Sequence, residues 1–212
     1  MIDILVPALG ETIYMSFVST FLAVIIGFFL AIILILTSKG GLRENLKVYS
    51  ILDVVINTLR SFPFIILMIV LFPLTKMLIG KSIGTSAAII PLTIGAAPFV
   101  ARLIESALKE VDFGVIEAAK SFGASDWQII FRVMIVEALP SIISAITLTL
   151  ITVIGFSAMA GAVGGGGLGD IAIKYGYYRF QTDTMIYTVI ILIILVQMVQ
   201  SLGDYLYKIT KK

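Results

Sequence analysis

Long charge-free apolar runs divide the chain. Residues 12–38 form the first, 27 positions with Phe, Ile, Leu and Val dominant from Phe17 onward. Residues 61–75 give only 15 positions between Arg60 and Lys76, a full span only if helix continues into 54–59 or through 77–79. Residues 82–101 give 20, residues 138–169 give 32 and residues 184–203 give 20. A helix needs about 20 apolar residues to cross a bilayer. The pattern predicts an all-α membrane protein of five transmembrane helices, at approximately 12–38, 54–79, 82–106, 138–163 and 184–206. All five belong to one domain, 1–212. The fourth run ends in a glycine-rich stretch, 161–169, so its helix should stop between Met159 and Val163. The run 12–38 is too long for a signal-peptide core and lacks a basic leader and a small-x-small cleavage site, so it reads as a retained span.

Composition agrees with this pattern. Apolar residues make up 59% of the 212 positions and charged residues 13%, with a mean hydropathy of +1.11; a soluble domain carries about 25% charge. There is no cysteine and no histidine, which excludes disulfides, thiol nucleophiles, Ser-His triads and most zinc sites. The net charge of +2 matters less than its placement. With the C-terminus inside, Lys39, Arg43, Lys47, Arg60, Arg102, Lys109, Lys120, Arg132, Lys208, Lys211 and Lys212 are cytoplasmic, eleven in all. Lys76, Lys81, Lys174 and Arg179, four in all, are outside. The bias predicts an outside N-terminus and a cytoplasmic loop over 102–137.

That loop carries the strongest local signals. Asp112 can cap a helix starting near Phe113. Val115, Ile116, Ala119 and Phe122 share one face at helical spacing. Gly123 stands where a left-handed residue would end the helix. Ser125-Asp126-Trp127-Gln128 has the form of a capping box for the next helix. A helix over about 112–123 is too short to cross the membrane and should lie along the cytoplasmic surface. Spacing alone leaves a surface hairpin and a docking element equally open. Ala118 and Ala119 keep one side low enough for close approach by a partner.

Glu117-Ala118-Ala119, followed after three residues by Gly123, resembles the EAA motif of the permease subunits of ABC importers. The motif continues in that family with an aliphatic residue, any residue and Leu-Pro; here Val133 fits, Ile135-Val136 departs, and Leu139-Pro140 follows four residues later. Residues 57–84, 87–108 and 149–177 are similar to permeases of methionine importers, and the resemblance covers nearly the whole chain. It implies the type I importer fold, with Glu117, Ala118, Ala119, Phe122 and Gly123 on a coupling helix that docks on a cytoplasmic ATPase dimer. It implies ATP and Mg on that partner and no cofactor on this chain. It also implies a bacterial inner-membrane location, a substrate-binding lipoprotein outside, and methionine as cargo. The chain itself would perform no covalent chemistry, and nothing points to nucleic acid.

Other features bear on mechanism. Gly80-Lys81-Ser82 mimics the tail of a phosphate-binding loop, but Thr75 occupies the place of its first glycine. The 164–169 glycines follow an apolar helix rather than a strand and read as a flexible outer turn where helices cross closely, with an outer gate or binding-protein contact as the lesser option. No ionisable residue lies in the middle of an apolar run, which disfavours ion-coupled secondary transport. Without an internal repeat, a pathway lined from both sides needs a second copy, hence a C2 homodimer in the lipid bilayer.

In the fourth span, Thr152, Gly155, Phe156 and Met159 share a face offering hydroxyl, gap, ring and thioether, with Ser157 beside them. Thr152, Phe156, Ser157 and Met159 are candidate pathway residues, although small and hydroxyl residues also serve plain helix packing. Pro91, Gly95 and Pro98 make the third span a candidate hinge. Arg60 reads as an interfacial anchor, and Trp127 as either a surface anchor or an ATPase contact. Rival readings are an importer for another amino acid or small osmolyte, and a non-transporting membrane protein that recruits an ATPase.

Overall fold

The computed structural model describes residues 2–211, and among these it contains helices and no strand. Helix α1 covers Ile2–Thr37, 36 residues, or about 54 Å. It begins about ten residues before the expected span. The reason is tertiary: Leu5 and Ala8, with Ile4 and Leu9, pack against Leu168, Ile171, Ile191 and Leu192. Asp3 in the first turn suits the positive helix start.

The expected second span, 54–79, is not one helix. Helix α2 covers Leu46–Ser61, its first turn capped by Asn45, whose side-chain oxygen accepts from the Val48 N–H at 3.2 Å. Phe62 then turns extended, with φ −71 and ψ 129, as a residue before proline tends to do. Helix α3 (Phe64–Val70) leaves Pro63 at 102° to α2. Helix α4 (Phe72–Ile79) follows and ends at Gly80, whose φ of +81 is left-handed. Proline has converted a marginal span into a bent one.

Helix α5 (Thr85–Lys109) runs unbroken through the buried Pro91 and Pro98. Helix α6 (Phe113–Ser121) follows, then a helical run made of α7 (Asp126–Gln128), a π-helical turn (Ile129–Met134) and α8 (Ile135–Glu137). Helix α9 (Leu139–Ala162) takes over with Pro140 in its first turn. The departure at Ile135-Val136 thus falls in α8, immediately after the π turn, and the displaced Leu139-Pro140 opens α9. After the glycines come α10 (Gly167–Ile171), a second π turn (Ala172–Tyr177) and α11 (Thr182–Thr210).

Four stretches, α1, α5, the run opened by α9, and α11, are long and apolar enough to cross a membrane, and the bent α2–α3 pair makes a fifth. The core sits where α1 meets α5. Ser16, Ser19, Ala23, Gly27 and Ala31 form a small-residue stripe on the buried side of α1. A Cβ on Gly27 would stand 2.6 Å from the Val100 Cβ and 2.7 Å from the Ala97 carbonyl, so the helices touch nearly backbone to backbone, as small residues permit in membranes. The opposite side carries Phe17, Phe21, Ile25 and Phe29, all exposed. Such a face needs lipid or another protein over it.

Candidate coupling segment and translocation cleft

The helix α6 segment is built as its sequence dictates. Asp112 Oδ1 accepts from the Gly114 N–H at 2.7 Å. Gly123 takes φ +78, and its N–H donates to the Lys120 carbonyl at 2.9 Å while the Ala124 N–H reaches Ala119 at 3.1 Å. The capping box is present: the Gln128 N–H donates to Ser125 Oγ at 3.4 Å, and the Ser125 N–H donates to Gln128 Oε1 at 2.9 Å.

The apolar face of α6 differs from the one expected. Ile116 and Ala119 pack on the core, whereas Val115 and Phe122 point away from it. Phe122 is 91% exposed, more than any other large apolar side chain of the described residues. Glu117, Ala118 and Gly123 are exposed as well. Phe113, Val115 and Phe122 therefore leave apolar surface on a polar loop, the mark of a contact site. Trp127 rests on Phe131, ring centroids 4.1 Å apart, and the neighbouring Asp126 pairs with Arg43 at 2.6 Å.

Just before α6 lies a polar cluster that the apolar-run reading passed over. Glu105 on α5 is 1% exposed. Its Oε2 accepts from Arg102 Nη1 at 2.7 Å, and its Oε1 accepts from Lys109 Nζ at 2.6 Å and from the Tyr49 hydroxyl at 3.0 Å. Arg102 Nη2 also reaches Asp53 at 2.5 Å and Asn57 at 3.2 Å on α2. A buried carboxylate survives only with such compensation. Its signal in the sequence is the spacing of Arg102, Glu105 and Lys109, which puts all three on one side of α5, next to the lone carboxylate Asp53 in an otherwise apolar stretch.

The pathway candidates separate. Thr152 and Phe156 line a cleft of about 200 Å³ together with Arg60, Phe62, Phe64 and Gly95. Phe156 stacks flat on Phe64, centroids 4.5 Å apart and planes at 1°. A Cβ on Gly95 would be 3.4 Å from both Phe64 and Leu67, so α5 passes close behind the stack. Met159 is 48% exposed on the same face of α9 but does not border the cleft. Ser157 lies apart from them: it is fully buried and donates to the Ile154 carbonyl of its own helix at 2.7 Å. Of the hinge candidates, Gly95 borders the cleft, while Pro91 and Pro98 sit buried within an unbroken helix; the sharp bend lies at Pro63 instead. Arg60 stands at the cleft wall, where a guanidinium can pair with a carboxylate.

At the far end the glycines form a packed turn rather than a loose one. Gly165, Gly167 and Gly169 are buried. The Gly167 N–H donates to Glu11 Oε2 at 2.7 Å and the Leu168 N–H to Thr12 Oγ1 at 2.9 Å. The Gly84 N–H donates to the Gly164 carbonyl at 2.9 Å, tying the start of α5 to the same turn. Gly80 and Lys81, in the phosphate-loop look-alike, end a helix and lie exposed.

The chain is similar to known proteins in sequence and in fold. The "Probable D-methionine transport system permease protein MetI" of Vibrio cholerae is 52% identical over 97% of this chain and 92% of its own length. The "Methionine import system permease protein MetP" of Bacillus subtilis is 48% identical over 85% of this chain and 81% of its own. A solved structure of "Inward facing conformations of the MetNI methionine ABC transporter" superposes with a TM-score of 0.99 and 43% identity, covering 100% of this chain and 98% of that one. The family model for the binding-protein-dependent transport system inner membrane component matches residues 23–211. With the exposed α6, the five-span helix set and this match over most of its length, the chain belongs to the binding-protein-dependent transport system inner membrane components.

Proposed function

We propose that this chain is the transmembrane subunit of an ATP-driven methionine importer in a bacterial inner membrane. Two copies form the pathway, two cytoplasmic ATPase subunits hold and hydrolyse ATP with Mg, and a substrate-binding lipoprotein delivers methionine from outside. The observation that carries the reading is α6: a capped, rigid helix with exposed Phe122 and Glu117, in a chain 43% identical throughout to the permease of a methionine ABC transporter. Glu117, Ala118, Ala119, Phe122 and Gly123 form the docking surface for the ATPase. ATP-driven closure of the ATPases moves α6, and the pathway alternates between inward-open and outward-open forms.

Thr152, Phe156 and Met159 offer methionine a hydroxyl, a ring and a thioether. Sulfur–aromatic contact is worth roughly 0.3–1.5 kcal/mol, weak enough for transit. Ser157 contributes only packing.

The test is uptake into vesicles holding the chain with its ATPase and binding protein. ATP should drive labelled methionine inward in preference to other amino acids, and Phe122→Ala should lower uptake per ATP severalfold without loss of folded protein. Uptake of a different amino acid in preference to methionine would overturn the cargo. Normal coupling in Phe122→Ala would overturn the docking role.

A further inference from the structure

Helix α2 is attached to the rest of the protein in an unusual way. Of its side chains only Ile56 is buried, against Leu34 and Ala101. Leu52 and the Tyr49 ring pack beside it, and the remaining hold on α5 is polar. Tyr49 and Asp53 of α2 meet Glu105, Arg102 and Lys109 of α5 through the contacts given above, and Lys109 also stands 5.3 Å over the Tyr49 ring. Two carboxylates and two cations close the cluster with no net charge. Glu105 is its hub, being the one member bonded to Arg102, Lys109 and Tyr49 at once.

The position of this clamp matters. At one end, Lys109 is the last residue of α5 and α6 starts at Phe113. At the other end, α2 stops at Ser61, and the Pro63 bend leads directly to Phe64. Phe64 is one of the two stacked rings of the cleft. The two ends of this route therefore lead to α6 and the cleft, and the clamp is the polar joint between them.

We infer that Glu105 is a positioning residue that welds α2 to the coupling end of α5, so that displacement of α6 reaches the Phe64–Phe156 wall through α2. The weld stays closed through the transport cycle, and α2 and the end of α5 move as one body. The inference rests on the importer reading above. Spatial intermediacy alone does not establish coupling, so the test breaks the weld and then restores it covalently.

The sequence contains no cysteine, so two introduced thiols are the only ones on this chain. In the assembled transporter in vesicles, Asp53→Cys combined with Arg102→Cys removes the cross-helix pair. Uptake per ATP should fall about tenfold while hydrolysis continues. A rigid bismaleimide that spans the two thiols should then bring uptake per ATP back to within about twofold of the parent. A merely structural role would not give this rescue at constant amounts of folded complex. Two results would overturn the inference: normal coupling before cross-linking, or loss of uptake after it, which would mean that the helices must separate. If the double variant fails to assemble, Glu105→Gln serves instead, with the same expected loss, and Lys109→Arg, which keeps the cation, should couple normally. Parent protein that shows no ATP-driven methionine uptake would sink the importer reading and not the weld. In that event nitroxide labels on Val54→Cys of α2 and Ser106→Cys of α5, both exposed, read the weld directly, and a separation that changes between the nucleotide-free and the ATP-bound complex overturns it.

Discussion

Two glycines show how differently single residues contribute. Gly123 has a left-handed φ of +78, yet a Cβ there would meet nothing within 4 Å. Its substitution costs backbone strain alone, about 1–2 kcal/mol. Gly161 has ordinary helical backbone, but its Cβ would lie 2.5 Å from the Gly169 carbonyl carbon and would also strike the Asp170 nitrogen. Backbone cannot step aside as a side chain can. Gly123→Ala should thus lower thermal stability modestly and leave α10 in place, whereas Gly161→Ala should lower it further and release the Glu11 contact to Gly167. Thermal melting in detergent compares the two, and equal losses would refute the distinction. Gly123 was legible in the sequence, because turn chemistry is local. The close approach at Gly161 was not, because it depends on where a second segment comes to rest.

The same division holds for elements. The caps of α6 and of the helix after it followed from Asp112, Gly123, Ser125 and Gln128, whose partners lie within a few residues. The bent second span did not follow, since Pro63 fixes where a helix must break but not the 102° at which the chain departs. The upstream extension of α1 escaped too, because Ile4, Leu5 and Ala8 become helical by packing on residues more than 150 positions away. The apolar face of α6 was half right: spacing placed Ile116 and Ala119, but gave no reason for Phe122 to face outward. The α1–α5 seam yields a prediction at this scale. Gly27→Leu forces side-chain atoms into the Ala97 carbonyl and the Val100 side chain and should destabilise by about 1–3 kcal/mol, the usual range for overpacking. Gly10 lies in the same helix with nothing within 4 Å of a Cβ, and Gly10→Ala should stabilise slightly, since glycine costs a helix about 0.5–1 kcal/mol against alanine. Melting curves that fall for both would show that α1 tolerates no change at all, and would refute the seam argument.

Across the whole molecule the contacts sort the chain into two ends. Ile4 and Thr184 border one cavity, and Glu11, Gly84 and Gly164 gather nearby through hydrogen bonds at the glycine turn. At the opposite end Arg43 pairs with Asp126, Lys39 and Lys120 line one cavity, and Tyr207 borders another with Glu110. The two termini of the described chain therefore belong to opposite ends, as an odd number of crossings requires. The charge count then assigns the sides: the end with Lys39, Arg43, Lys109 and Lys120 holds most of the basic residues and should face the cytoplasm. The absence of cysteine makes this directly measurable. In intact cells a membrane-impermeant maleimide should label Lys81→Cys and leave Phe122→Cys unlabelled until the inner membrane is opened. The reverse pattern would invert the topology and remove α6 from reach of any cytoplasmic ATPase, so this labelling also decides whether the exposed face of Phe122 can serve as a coupling surface.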